Sequence, residues 1–258
     1  LHDLRAAAAS VSTQDLNRRL PVKGRDDIAG LTEAFNGMLD RLQEAFDGQT
    51  QFVLRAHQEI SGPLAVMDAR LASQPATRTV RQQRNQIVEL QRVLNDLQSL
   101  TQAERRDFAH LTPDVEVSEL ARTLCDDVES MAPGRWSFDL RARGTATLDV
   151  ERLRQATGHL ARNGLQHGDG PLTLTVAPGT DGYGRSGLEI SVTDRGPGLS
   201  DDDVDWLFER FTHGEADGRP RGSGLGLAIV RAIADAHDGT VFAVSASGQG
   251  ATVGLRIP

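Results

Sequence analysis

Apolar residues recur along this chain in two different rhythms. Up to about residue 106 they step by threes and fours: Ile28, Leu31, Phe35, Met38, Leu42 and Ala45, then Val53, Ile60, Leu64, Met67 and Leu71 with His57 in phase, then Ile87, Leu90, Leu94 and Leu97 with Thr101 in phase. That spacing lines one face of an α-helix. It predicts two helical stretches before about residue 46, parted by Leu20 to Asp27, and two more between 47 and 106. The second pair breaks near Ser73-Gln74-Pro75-Ala76, because proline disfavours helical continuation. A hairpin with one apolar stripe per helix leaves surface uncovered, and pairing two hairpins into a four-helix bundle covers it. A homodimer follows as an expectation.

Farther on, the rhythm changes to alternation. Val115 to Val117, Trp136 to Leu140, Leu172 to Val176, Leu188 to Thr193, Thr240 to Val244 and Ala251 to Ile257 read as strands. Asp181 to Gly187 reads as a turn, Ser118 as a helix cap, Arg154 to His167 as a helix, and Leu227, Ile229, Val230, Ile233 and Ala234 as the face of another. Helices layered on a mixed sheet make this half an α/β sandwich, after an all-α first half.

Composition narrows the function classes. The chain has 258 residues, 38% of them hydrophobic, which suffices for one or two ordinary domains. Its net charge of −8, with a single lysine and no long basic run, argues against a nucleic-acid partner. One cysteine, Cys125, excludes an internal disulfide and fits a reducing compartment. No run of 18 or more apolar residues and no signal-peptide pattern is present, so a soluble chain is expected. It begins inside a helical pattern, as a fragment would. His110, His213 and His237 have no metal-ligand spacing, and zinc is not implied.

Three stretches carry candidate chemistry. Asp194 ends a strand and is followed by Gly196 and Gly198, which let backbone approach a ligand closely, while a buried carboxylate can accept a hydrogen bond from an exocyclic amine such as that of adenine. Gly222, Ser223, Gly224, Leu225, Gly226 and Leu227 open a helix, where bare amides and the positive helix end suit phosphate. His159, Asn163 and His167 recur every four residues on one helix face. An Asn oxygen there can ligate a hard cation shared with phosphate oxygens. Each signal has a bland counterpart, a flexible loop or a solvated helix face.

In order, these pieces resemble the ATP-binding domain of sensor histidine kinases, within the GHKL (Bergerat-fold) ATPases. Arg154 to His167 matches the N-box, Asp194 to Gly198 the D-box, Leu207-Phe208-Glu209-Arg210-Phe211 the F-box and Gly222 to Leu227 the G-box. The resemblance implies ATP and Mg²⁺ as ligands, with Asn163 on the metal, Asp194 on adenine, and a lid from about Phe211 to Gly222. Trp206 and Phe208 are expected to pack at the lid base. His159 stands where the family commonly has a first Asn, which implies an altered metal geometry.

Gly24-Arg25-Asp26-Asp27-Ile28, then Phe35-Asn36-x-Met38, resembles the HAMP linker of membrane receptors, a parallel dimeric four-helix bundle. That implies transmembrane and sensor segments upstream and a cytoplasmic place for this part. The hairpin resembles the same kinases' dimerisation and phosphotransfer domain, whose H-box runs Phe-x-x-x-x-x-His-Glu-Leu-Arg-Thr-Pro-Leu. Phe52, Glu59, Pro63 and Leu64 fall into that register, which puts Gln58 at the phosphoacceptor and His57 one residue early. An amide nitrogen with a delocalised lone pair is not a useful nucleophile, so Gln58 is not expected to accept phosphate. His57, about 100° round the helix, is in phase with the apolar seam. Packing and phosphate acceptance both stay open for it. Glu59 keeps the acidic place beside the acceptor, and Gly62 replaces the residue many relatives use in dephosphorylating a partner.

The expected domains are a HAMP linker over 1–46, the hairpin over 47–112 and the ATP-binding domain over 113–258, with a hinge near 107–117. The expected partners are a second copy and a response regulator. Two readings of Gln58 fit: a phosphorylation-blocked form of a working kinase, or a natural pseudokinase that signals by binding.

Overall fold

The computed structural model describes residues 27–103, 105, 108–168, 170–180, 184–199, 206–210, 223–245 and 250–258. They belong to two compact units, one up to Arg106 and one from Asp107. The first helical stretch, Gly24 to Asp26, Asp181 to Tyr183, Phe211, Gly222 and the lid between them lie outside the described residues. So do the side chains of Ile28, Leu31, Ala45 and Phe52.

In the first unit, α1 (Asp27–Ala72) runs for 46 residues and α2 (Arg78–Ala103) for 26. The helix break expected near 46 is absent: Asp47-Gly48-Gln49 is helical. One helical glycine costs only about 1 kcal/mol, less than the intact turns on either side supply. Pro63 is also tolerated inside α1. The turn does fall at Pro75, where Thr77 Oγ1 accepts the Val80 N–H at 3.2 Å. Pairs His57–Asn95 and Asp68–Arg84 cross between the helices, as an antiparallel hairpin requires.

The expected apolar seam divides. Leu64, Val80, Ile87 and Leu100 are buried, together with Asp96, while Val53, His57, Leu71, Leu94 and Leu97 are half-buried. Ile60, Met67 and Leu90 are instead exposed, as are Val66 and Val88. The apolar stripe is wider than one hairpin can cover. Nearer the start of α1, Thr32 and Leu39 are buried while Met38 and Leu42 are exposed, so the buried positions differ from the expected ones there too.

The second unit contains β1 (Thr112–Glu116), α3 (Val117–Met131), β2 (Trp136–Leu140), β3 (Thr145–Leu148), α4 (Val150–His167), β4 (Leu172–Thr180), β5 (Ser186–Thr193), α5 (Gly226–Ala236), β6 (Thr240–Ser245) and β7 (Ala251–Ile257). A mixed five-stranded sheet runs β2-β4-β5-β7-β6, with β2 and β4 parallel and the other neighbours antiparallel. Leu172, Leu174 and Val176 of β4 and Ile190 and Val192 of β5 are buried with Leu153 and Leu160 of α4 and Ile229 and Ile233 of α5. Alternate positions on the other side carry pairs such as Ser137–Thr173 and Thr193–Thr252, hydrogen-bonded at 2.8 and 2.9 Å. This is the α/β layering expected.

Several details differ from expectation. Ser118 is not the cap of α3: Glu116 holds that place, and the Ser118 hydroxyl donates to its Oε1 at 2.9 Å. The N-box helix starts earlier, at Val150, because Asp149 caps it by accepting the Arg152 N–H. β1 pairs with β3 in a separate two-stranded sheet. Within 108–117, part of the expected hinge, Phe108 is buried, the His110 N–H bonds Asp149 Oδ2 at 2.8 Å, and β1 is paired.

Candidate functional site

Asp194 stands at the end of β5 and is buried. Its Oδ1 accepts two backbone N–H groups, from Gly196 at 2.7 Å and from Ala251 at 3.3 Å. No described residue donates to Oδ2. The loop around it is packed to backbone contact. A Cβ on Gly196 would lie 2.6 Å from the His167 carbonyl oxygen, and one on Gly168 would lie 2.4 Å from Asp194 Cβ. Gly250, at φ 85°, would put a Cβ 2.1 Å from the Asp194 carbonyl oxygen. The D-box therefore lies against the C-terminal end of α4 and against Gly250, the residue before β7.

The glycine loop meets the same helix one level down. Leu225 is buried, α5 starts at Gly226, and a Cβ there would lie 3.0 Å from His159 Nδ1. So His159 touches the start of α5, His167 touches the D-box, and Asn163 lies one turn from each on the same face. Exposure rises along that face: His159 is 5% exposed, Asn163 is half-buried and His167 is exposed. Arg162 Nη2 donates to His159 Nδ1 at 3.0 Å, which leaves the proton of the neutral ring on Nε2. His159 therefore packs beside the loop with its Nδ1 occupied. Ser223 Oγ accepts the Leu225 N–H at 3.4 Å, and Gly198 and Gly224 have φ values of 80° and 66°, a conformation glycine adopts without strain. Leu227 is half-buried.

Phe208 is buried, and Glu209 beside it pairs with Arg231 of α5 at 2.8 Å. The F-box is thereby tied to the helix that begins at the glycine loop. Arg154, first residue of the N-box, faces elsewhere. It forks onto Asp127 of α3 at 2.7 and 3.0 Å and reaches Glu151, and these bonds raise its pKa.

Sequence reasoning missed Gly168, Gly250 and Ser245. Ser245 Oγ accepts the Leu199 N–H at 2.7 Å and donates to the Gly250 carbonyl at 2.9 Å, which ties Leu199 and Gly250 together through one hydroxyl. A glycine directly before the β7 pattern was the available signal for Gly250.

In the first unit, Gln58 and Glu59 are exposed and His57 is half-buried. His57 Nε2 donates to Asn95 Oδ1 of α2 at 2.9 Å, so its ring is turned toward the partner helix of the hairpin.

Comparisons with known proteins agree with this geometry. Residues 148–258 match the family of histidine kinase-, DNA gyrase B- and HSP90-like ATPases, and residues 1–44 match the HAMP domain. The signal transduction histidine-protein kinase AfsQ2 of Streptomyces coelicolor is 28% identical, over 100% of this chain and 52% of AfsQ2. The histidine-protein kinase BaeS of Escherichia coli is 27% identical, over 95% of this chain and 54% of BaeS. The chain thus spans about half the length of these curated relatives. Among solved structures, full-length ShkA in complex with AMPPNP is 26% identical with a TM-score of 0.65, over 81% of this chain and 45% of ShkA. A HAMP match at one end, a match to histidine kinase-, DNA gyrase B- and HSP90-like ATPases at the other, and histidine-protein kinase relatives aligned over nearly the whole chain make it similar to sensor histidine kinases along its length.

Proposed function

We propose that the second unit binds Mg²⁺-ATP and that, in a parent with an imidazole at position 58, the γ-phosphoryl group passes to that ring and then to an aspartate of a response regulator. The observation that carries this reading is Asp194: Oδ1 is filled by two backbone N–H groups, and Oδ2 has no donor among the described residues. The second oxygen of a carboxylate held in this way suits an exocyclic amine. The start of α5 supplies backbone amides and the positive helix end for phosphates. Asn163 would hold Mg²⁺, which when bound neutralises phosphate charge.

In the transfer, an imidazole nitrogen attacks the γ-phosphorus, the bond to the bridging oxygen of the β-phosphate breaks, ADP leaves, and Glu59 accepts the ring proton. Gln58 cannot perform the first step. His57, bonded to Asn95, fits a packed hairpin residue better than an acceptor. Exposed Ile60, Val66, Met67, Val88 and Leu90 support a two-hairpin dimer as the platform. No helix among the described residues is long and apolar enough to cross a membrane. The HAMP match supports input from a membrane segment upstream. The second reading, a dimeric scaffold that binds ATP and a regulator without transfer, is favoured by Gln58 itself, exposed at the acceptor position.

Incubation with γ-labelled ATP and Mg²⁺ of this chain, Gln58→His and His57→Ala separates the readings. Acid-labile label only in Gln58→His is the expected result and means a blocked kinase. Label on this chain that disappears in His57→Ala makes His57 the acceptor. Nucleotide bound with no label in any of the three establishes the scaffold.

A further inference from the structure

A second cluster of buried polar contacts lies at the other end of α4, about 20 Å from Asn163 by helical rise. Asp149, buried, accepts the Arg152 N–H on Oδ1 at 3.0 Å and the His110 N–H on Oδ2 at 2.8 Å. Its own N–H donates to His237 Nε2 at 3.0 Å, and His237 Nδ1–H donates to the Ile233 carbonyl at 2.8 Å. His237 directly follows α5, and its backbone N–H turns to the Ala234 carbonyl at 3.0 Å. The ring therefore supplies Ile233 with the bond that another helical turn would have given. One tautomer satisfies both ring nitrogens.

Arg152 reinforces the cluster. Its Nε–H donates to the Phe108 carbonyl at 3.0 Å, and its guanidinium lies 4.0 Å over the Phe108 ring. Three pieces of chain thus meet: the segment 108–110 that leads in from the helical unit, the start of α4 and the end of α5. Those two helices bear Asn163 and the glycine loop farther along. Buried, mutually satisfied bonds do not slide by small amounts without loss, so the three pieces move together or separate.

Resting on the nucleotide reading above, we propose that Asp149 and His237 are positioning residues that couple the lead-in segment Phe108–His110 to both nucleotide-bearing helices. Nucleotide occupancy and the state of that segment then regulate each other, since coupling of two sites is reciprocal. The helical unit is covalently joined to this segment, which makes the joint a route for its signal into the ATP unit.

Amide hydrogen–deuterium exchange of the full chain, with and without saturating Mg²⁺-ATP and with the nucleotide dissociation constant measured on the same samples, tests this. In the unaltered chain, nucleotide slows exchange of peptides over Phe108 to Thr112 by about fivefold or more, at the lower edge of ordinary coupling. His237→Gln binds nucleotide but loses that slowing. Asp149→Asn keeps an oxygen to cap Arg152 and loses the His110 acceptor, so the segment exchanges fast with or without nucleotide. Bound nucleotide that leaves the segment unchanged in the unaltered chain, or slows it equally in either variant, overturns the inference and spares the nucleotide reading. Absence of nucleotide binding by the unaltered chain overturns both.

Discussion

A histidine bonded through both ring nitrogens cannot take up a proton without breaking one of those bonds. His237 is in that position, and burial pushes its pKa below the ordinary imidazole value of 6.5, against smaller opposing effects of its bond to Ile233 and of the Asp149 and Asp238 charges. The unfolded chain therefore protonates first as pH falls. Stability of the ATP unit is fully present above about pH 6.5 and declines below it, toward the lowered folded value, by up to about 1.4 kcal/mol per pH unit for this one group. Urea unfolding followed by fluorescence reads this unit alone, since both tryptophans, Trp136 and Trp206, lie in it. The decline is expected to be shallower in His237→Gln, and an unchanged slope counts against the assignment. Nothing near His237 in the sequence announces this role, because its partner Asp149 is 88 positions away. Asp194 was legible for the opposite reason: strand end, carboxylate and glycines are neighbours along the chain.

At the scale of elements, α4 sorts its two glycines by what surrounds them. Gly158 is half-buried, and an added Cβ would approach only the flexible Arg162 side chain, at 3.4 Å. Gly158→Ala should therefore stabilise the unit by up to about 1 kcal/mol, the usual gain of alanine over glycine inside a helix. Gly164 faces the sheet, and a Cβ there would lie 3.0 Å from Val192 Cγ1 and 3.3 Å from Leu172 Cδ2. Gly164→Ala should destabilise by about 1–3 kcal/mol through overpacking. Urea midpoints of opposite sign check both, and a stabilising Gly164→Ala would show that α4 can lift off the sheet without cost. Periodicity located most elements of this unit and erred at their ends. β4 and β5 extend through Thr180 and from Ser186 because their own pairing continues past Gly179–Gly187, and a Cβ on Gly187 would sit 1.9 Å from the Ile257 carbonyl oxygen. The stretches expected on either side of residue 46 run on as one helix through Gly48, because one helical glycine costs only about 1 kcal/mol. The burial of Thr32 and Leu39 in place of Met38 and Leu42 shows that three-and-four spacing gives the helix but leaves the orientation of its buried face open.

The whole molecule consists of two units with separate cores, and the site pieces that sequence order suggested, from Asn163 to Gly226, come together within the second of them around α4. The acceptor region belongs to the other unit, and the lid residues Phe211 and Gly222 lie outside the described ones. Two cores with different ligands should melt separately. The first unit leaves Ile60, Val66, Met67, Val88 and Leu90 exposed in a single copy, so its stability should depend on a second copy and rise with protein concentration. The second unit carries the candidate nucleotide site, so its stability should rise with Mg²⁺-ATP by about 2.7 kcal/mol at one hundred times the dissociation constant. Calorimetry of the full chain should then show two transitions, one moved by concentration and the other by nucleotide. Met67→Glu together with Leu90→Glu should abolish the concentration dependence of the first and leave the nucleotide response of the second intact. A single transition that responds to both would mean that the units share stabilising contacts, and the helical unit would then sense nucleotide through direct packing as well as through the chain that joins them.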